Sequence, residues 1–259
     1  MRTIGVFDSG VGGISVLKEI LKEFPNDNII YFGDSLHAPY GDRSIEEIRR
    51  LCLKVSDFLV FDKEVDALVI ACNTATGAAI NIMQERYNIP VVGVVDNGVN
   101  EAINSTSNNL IGIIATPATV KMNIYPNTIF KLAPQNSVFQ VECPLFVAMI
   151  ENGWVDSIES DNLIKSYISK FSENIDTLIL GCTHYPLITK YISRYFSGKI
   201  VNPAKETSKS LKKIIGDGKE NLKYNPSRVF FVSGELQKFK KVAEEFLEQP
   251  IEDIRKIIL

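Results

Sequence analysis

Short apolar runs rich in β-branched residues recur along the chain, at Ile4–Phe7, Ile29–Gly33, Ala67–Ala71, Val91–Val95, Leu110–Ala115, Val138–Val141, Thr177–Gly181, Ile200–Val201 and Val229–Val232. Most are bounded by Gly, Pro, Asn or Asp, the punctuation of buried strands. Helical stripes lie between them. Leu17, Ile20, Leu21 and Phe24 repeat at i, i+3, i+4 and i+7, and Ile48, Cys52, Val55 and Leu59 form another such face. Strands that alternate with helices predict an α/β fold of mainly parallel sheets with helices on their faces, because parallel strands need long crossovers. The 259 residues suffice for one large or two smaller domains with a well-buried core.

The pattern also repeats. Ile4-Gly5-Val6-Phe7-Asp8-Ser9-Gly10 is echoed by Ile111-Gly112-Ile113-Ile114-Ala115-Thr116-Pro117. Each copy is followed, at nearly the same offset, by an apolar run that ends in a cysteine: Ala67–Thr74 around Cys72, and Leu178–His184 around Cys182. Two similar α/β domains are therefore expected, the first ending near Asp96. The last strand and helix have no counterpart in the repeat and are expected to return to the first domain. The expected division is 1–96 with 211–259, and 97–210.

Composition excludes several classes. A formal charge of −3 argues against a nucleic-acid footprint. The Lys212-Lys213 pair reads as a solvated helix face, not a membrane anchor. No apolar stretch reaches the roughly 18 residues of a membrane span, and no signal peptide is read at the N-terminus. Four cysteines in a chain of this length do not make a disulfide scaffold. The expectation is a cytoplasmic protein with reduced thiols.

Free cysteine often only fills space, and Cys52 and Cys143 are read that way. Cys72 and Cys182 differ because both fall at a strand end, where open α/β sheets bind ligands. Each is followed by hydrogen-bonding side chains, Asn73-Thr74 and Thr183-His184. A helix starting at either point would favour an anion and lower the thiol's pKa. Matched thiols suggest chemistry on two opposite faces of one substrate, as inversion of a stereocentre by two-base proton transfer requires. His184, two residues from Cys182, is placed to tune that thiol or relay its proton. Glu151 ends an apolar run and on spacing alone reads as a solvated helix-end carboxylate.

The turn Asp8-Ser9-Gly10-Val11-Gly12-Gly13 admits three readings. It is a dinucleotide-binding loop, a packing turn, or a carboxylate (Asp8) and hydroxyl (Ser9) aimed into a cleft. The first is disfavoured because Ser15 occupies the third glycine position and Asp8 would face the pyrophosphate. The third is preferred. No Cys-x-x-Cys pair or second Cys/His cluster supports a metal site, so none is expected. His37 is assigned no role.

Taken together, Phe7-Asp8-Ser9-Gly10-Val11-Gly12-Gly13, Pro39-Tyr40-Gly41, Cys72-Asn73-Thr74-Ala75, Thr116-Pro117-Ala118-Thr119-Val120 and Gly181-Cys182-Thr183-His184-Tyr185-Pro186 resemble the glutamate racemases, in this order and over nearly the whole chain. The resemblance implies a cofactor-independent enzyme of the aspartate/glutamate racemase superfamily, with two pseudo-symmetric α/β domains and the site between them. It implies that Cys72 and Cys182 are the acid/base thiols, with Asp8 assisting the first and His184 the second. It lifts Glu151 to a further acid of the site. It also places Ser9, Tyr40, Gly41, Asn73, Thr74, Thr116, Thr119, Thr183 and His184 against the substrate. The implied partner is glutamate, with no nucleic acid or membrane; the implied role is supply of D-glutamate for peptidoglycan, and a homodimer is the assembly to test. The chain departs from the family pattern at Asp96-Asn97-Gly98, Met122 and Asn202, which touch turns and the domain junction more than the thiols. An aspartate racemase is the nearest rival, and His184 after Cys-Thr favours glutamate over it. A one-thiol isomerase or decarboxylase and a non-catalytic ligand-binding protein are the more distant rivals.

Overall fold

The computed structural model describes residues 2–218 and 225–259. Its elements run β1 (Thr3–Asp8), α1 (Ile14–Glu23), β2 (Asn28–Gly33), α2 (Ile45–Asp57), β3 (Ala67–Ile70), α3 (Asn73–Arg86), β4 (Val91–Gly93), α4 (Val95–Ser105), β5 (Leu110–Ala115), α5 (Pro117–Lys121) and α6 (Ile124–Leu132). They continue with β6 (Ser137–Glu142), α7 (Phe146–Glu151), α8 (Ile158–Ile168), β7 (Thr177–Gly181), α9 (Thr189–Ile192), β8 (Lys199–Val201), α10 (Pro203–Ile215), β9 (Arg228–Val232), α11 (Leu236–Leu247) and β10 (Asp253–Lys256).

The strands form two sheets, ordered β10-β9-β2-β1-β3-β4 and β6-β5-β7-β8. Every pairing is parallel. The internal repeat is visible in the strand order, since β2-β1-β3-β4 and β6-β5-β7-β8 are the same arrangement built twice. Both faces of each sheet are covered, as a parallel sheet requires. In the larger sheet Ile4, Val6 and Val69 point to a core shared with α1, α10 and α11. Phe7, Leu68 and Ile70 alternate to the opposite core, with α2 and α3. In the smaller sheet Ile114, Leu178 and Leu180 face α7 and α8, while Ile111, Ile113 and Ile179 face α4 and α6. This period-2 alternation between two dry faces is why the strands read as continuous apolar runs.

Two expectations about strands change. The run Val91–Val95 is a strand only as far as Gly93; the Asn97 amide then donates to the Gly93 carbonyl at 2.9 Å, and Val95 opens α4. The strand β10 shows no apolar run because Asp253-Ile254-Arg255-Lys256 is a half-exposed edge paired to β9, with only Ile254 turned to the core. Residues 96 and 211, the ends of the division expected above, lie inside α4 and α10. Asn202, one of the departures, caps α10 by accepting from the Ala204 amide at 3.1 Å. Gly98, another, lets α4 approach α10: a Cβ there would lie 2.8 Å from Pro203. Among the described residues no helix is long and apolar enough to cross a membrane.

The helix α10 joins the core beneath the larger sheet through Ala204 and Leu211, both packed among Leu17, Ile20 and Phe24. Leu211→Ala should therefore lower the unfolding free energy by about 2–5 kcal/mol in a urea titration. A loss below about 0.5 kcal/mol, typical of surface positions, would contradict that packing.

Candidate active site

Parallel sheets present their functional side chains at the carboxyl ends of strands. Asp8 ends β1 and Ser9 follows it; Cys72 lies two residues beyond β3; Thr116 follows β5; Cys182 follows β7. The two sheets bring these ends together. The Thr183 hydroxyl donates to Asp8 Oδ1 at 3.2 Å, and Ser15 Oγ donates to the Thr183 carbonyl at 2.9 Å. The glycine turn serves this approach. A Cβ on Gly12 would sit 2.8 Å from Thr183 Oγ1 and closer still to the His184 ring, and one on Gly13 would sit 2.8 Å from the Tyr31 hydroxyl. The Gly10 amide already donates to Asp8 Oδ2 at 2.8 Å, so the turn's own carboxylate occupies an amide that a nucleotide phosphate would need.

Cys72 caps the N-terminus of α3. The Ala75 amide donates to its Sγ at 3.4 Å, and Sγ lies 3.6 Å from Ser9 Oγ. The expectation of a lowered thiol pKa is not met here. Burial pushes Cys72 well up, and the Asp8 carboxylate pushes it further, against the Ala75 amide and the Ser9 hydroxyl. The helix N-terminus acts in the expected direction, but desolvation of the thiolate outweighs it. Asp8 is itself raised by burial, against the opposing His184 charge, the Gly10 and Gly13 amides and the Thr183 hydroxyl.

Cys182 has different company. Only a short 3₁₀ turn, Tyr185–Ile188, follows it instead of a helix. An imidazole takes the helix's place. His184 Nδ1 lies 3.7 Å from Cys182 Sγ, and Nε2 donates to Glu151 Oε1 at 3.0 Å. Burial would lower the His184 pKa, but the hydrogen bonds to Cys182 and Glu151 outweigh it and hold the ring well above its ordinary value. Burial would likewise raise Glu151, but His184, with help from Lys238, holds it below the usual carboxylate range. A thiol, an imidazole and a carboxylate in line can pass a proton from sulfur to nitrogen and stabilise the resulting thiolate–imidazolium pair.

The remaining expected site residues fall into two groups. Thr74, Thr116 and Thr119 form a buried ring of hydroxyls, each pair 3.0 Å apart, with Thr74 from one sheet's side and the other two from the second. Gly41 abuts this ring, since a Cβ there would lie 2.7 Å from Thr116. Asn73 is buried, and its amide nitrogen has no hydrogen-bond partner among the described residues. Tyr40 departs from the group: its hydroxyl donates to Asp34 Oδ2 at 2.6 Å, so its side chain anchors the loop and only its backbone is left for the site.

Asp34, which the sequence offers only as a ribose-binding acid in the disfavoured dinucleotide reading, has a different part, and Tyr125 carries no signal in the sequence. Asp34 also accepts from Ser233 Oγ at 2.6 Å, and its carboxylate lies 2.9 Å from His37 Nδ1; it thereby pins the loop that carries Tyr40 and Gly41. Tyr125, on α6, donates to Asn73 Oδ1 at 2.5 Å. The Ser233–Asp34 and Tyr125–Asn73 contacts join residues far apart in the chain, so no local spacing signals them. Among the described residues no group of three or more His, Cys, Asp or Glu side chains is placed to hold a metal ion.

Comparison with known proteins places this arrangement. The family model for Asp/Glu/hydantoin racemases matches residues 4–211. The glutamate racemase of Geobacter metallireducens is 37% identical, covering 100% of this chain and 97% of that protein. The crystal structure of a glutamate racemase isoform from Bacillus anthracis superposes with a TM-score of 0.93 at 37% identity, covering 100% of this chain and 98% of that one. That of the Francisella tularensis glutamate racemase in complex with D-glutamate also gives 0.93, at 40% identity, covering 99% and 97%.

The His184–Glu151 pair makes stability depend on pH. The raised His184 contributes fully below the ordinary histidine value, roughly 6.5, and loses its contribution as pH rises through its folded value. The lowered Glu151 contributes above the ordinary glutamate value, roughly 4.3, and loses it as pH falls through its folded value. The pair is thus strongest between those two ordinary values. Glu151→Gln should show its largest stability deficit near pH 5.5, shrinking at alkaline pH, in denaturant midpoints measured across the range. A deficit that grows with pH would contradict the pairing.

Proposed function

Because the chain belongs to the Asp/Glu/hydantoin racemase family, and within it to the glutamate racemases, we propose that it interconverts L- and D-glutamate without a cofactor, with Cys72 and Cys182 exchanging the Cα proton on opposite faces. The observation that carries this reading is the pair of buried thiols at equivalent strand ends, Cys72 beside the Ser9 hydroxyl and within reach of the Asp8 charge, Cys182 beside the His184 imidazole. Asp8 serves the Cys72 side; His184, backed by Glu151, serves the Cys182 side.

The chemical problem is a weakly acidic Cα–H. In the D-to-L direction the Cys72 thiolate takes the Cα proton and the electron pair moves toward the α-carboxylate. The Cys182 S–H then delivers its proton to the opposite face, leaving a thiolate beside His184. The reverse direction exchanges the roles. Burial raises the Cys72 thiol, and the substrate's ammonium group supplies the positive charge that favours its thiolate. The Thr74–Thr116–Thr119 hydroxyls, Ser9, Thr183 and the Tyr40–Gly41 backbone supply donors for two carboxylates and for the charge that develops on one of them, and the Asn73 amide supplies a further donor that binds a carboxylate. We take 1–96 with 211–259, and 97–210, as the two units that each contribute one thiol. The product would supply peptidoglycan synthesis in the cytoplasm, with a homodimer as the working assembly.

Incubation with either enantiomer of glutamate in D₂O, with no added cofactor, should give loss of optical rotation and deuterium at Cα. Faster turnover of aspartate, or strict dependence on pyridoxal phosphate or a metal, would overturn the proposal. Cys72→Ser and Cys182→Ser should each lower kcat by roughly 10²–10⁴-fold or more with unchanged circular dichroism, because a hydroxyl is far less acidic than a thiol.

The assignment of partners to thiols has its own test. The equilibrium constant between enantiomers is one, so kcat/KM stays equal in the two directions whatever is mutated. Primary isotope effects with Cα-deuterated substrate are not so constrained. Asp8→Asn should make proton transfer at Cys72 more rate-limiting, and His184→Asn transfer at Cys182, skewing the two directions in opposite senses. Identical responses to both changes would refute the assignment.

A further inference from the structure

Tyr125 touches the neighbours of both thiols. Its ring lies against Gly181, immediately before Cys182; a Cβ on that glycine would sit 3.1 Å from ring Cε2. Its hydroxyl crosses to Asn73, immediately after Cys72, and donates to Oδ1 at 2.5 Å. Both side chains are buried, Tyr125 completely and Asn73 to within 2%. A phenol that reaches from α6 to the first residue of α3 links the two halves of the site without lining it as an acid or base.

The consequence lies on the other end of the Asn73 amide. With Oδ1 taken by the phenol, Nδ2 keeps two donors, and this nitrogen is buried with no partner among the described residues. Buried donors are almost always paired, so an orphan between two site-lining residues points to a ligand acceptor. If the amide turned over, Oδ1 would face an anionic ligand and the phenolic proton would lose its acceptor. Building on the functional reading above, we propose that Tyr125 is a positioning residue: it holds the Asn73 amide with its NH₂ group toward a substrate carboxylate.

The role is one of binding, made equally in ground and transition states, so it belongs in KM and not in kcat. Tyr125→Phe keeps the ring against Gly181 and removes only the hydroxyl. It should raise KM for both enantiomers of glutamate about ten-fold, the scale of one hydrogen bond to a charged group, and leave kcat within about two-fold. Because the hydroxyl acts through Asn73, the same change in an Asn73→Ala background should alter KM by less than about two-fold. The dissociation constant of D-glutamate, measured by calorimetry on the same four proteins, should follow the same cycle. A wild-type chain that bound glutamate without racemising it would overturn the functional reading, while the calorimetric cycle would still decide on Tyr125. Unchanged affinity in Tyr125→Phe, full additivity with Asn73→Ala, or a loss confined to kcat and Tm would each overturn the positioning role.

Discussion

The site depends on polar groups that meet one another across the seam between the two sheets. Asp8 is fully buried at the end of β1, and its carboxylate takes the Gly10 amide from its own turn and the Thr183 hydroxyl from the opposite sheet. Thr74 meets Thr116 and Thr119 in the same way, and Asn73 meets Tyr125. Left in an apolar environment without these partners, each group would carry a desolvation penalty of order 1–3 kcal/mol. The polar residues that could bind a polar substrate are thus also what hold the two halves at a working separation. Glycine makes the approach sterically possible, at Gly12 against His184 and Thr183 and at Gly41 against Thr116.

The two halves share a strand order but not an electrostatic environment. Cys72 sits at a helix N-terminus, and burial together with the Asp8 charge pushes its thiol pKa up. Cys182 has no helix to draw on and instead faces an imidazole that Glu151 keeps basic. A symmetric reaction on enantiomers does not require a symmetric catalyst. The two-thiol exchange proposed above requires that each thiol can both lose and gain a proton, which a carboxyl group raised by burial or an imidazole raised by a carboxylate would each support. The repeated unit has its thiol at the same strand end in both halves, but different groups stand beside it.

Much of the fold was legible because buried parallel strands must be apolar on both faces. Runs such as Ala67–Ile70 and Thr177–Gly181 show that directly in the sequence. The strand β10 was not legible, because an edge strand needs only backbone partners and leaves its side chains free to be charged. The run Val91–Val95 was over-read because valine suits both a buried strand and the buried face of α4, and only the Asn97 contact to Gly93 marks the change. Within the site, the blocks around Asp8, Cys72 and Cys182 stood out as local patterns. Tyr40 stood out too, yet its hydroxyl belongs to Asp34, a residue whose place as the loop's anchor no spacing announces.

By itself, then, the order of residues determined which segments become strands, that the Asp8 and Cys72 segments are paralleled by Thr116 and Cys182, and that two thiols stand at strand ends. These are consequences of periodicity and of turn chemistry, which act over a few residues. Tertiary structure alone decided that burial and the Asp8 charge raise the Cys72 thiol, that Glu151 is a partner of His184 and not a solvated helix end, and that Tyr125 reaches Asn73. Burial and hydrogen-bond partnership depend on what lies opposite, and what lies opposite here is supplied by chain dozens to hundreds of residues away.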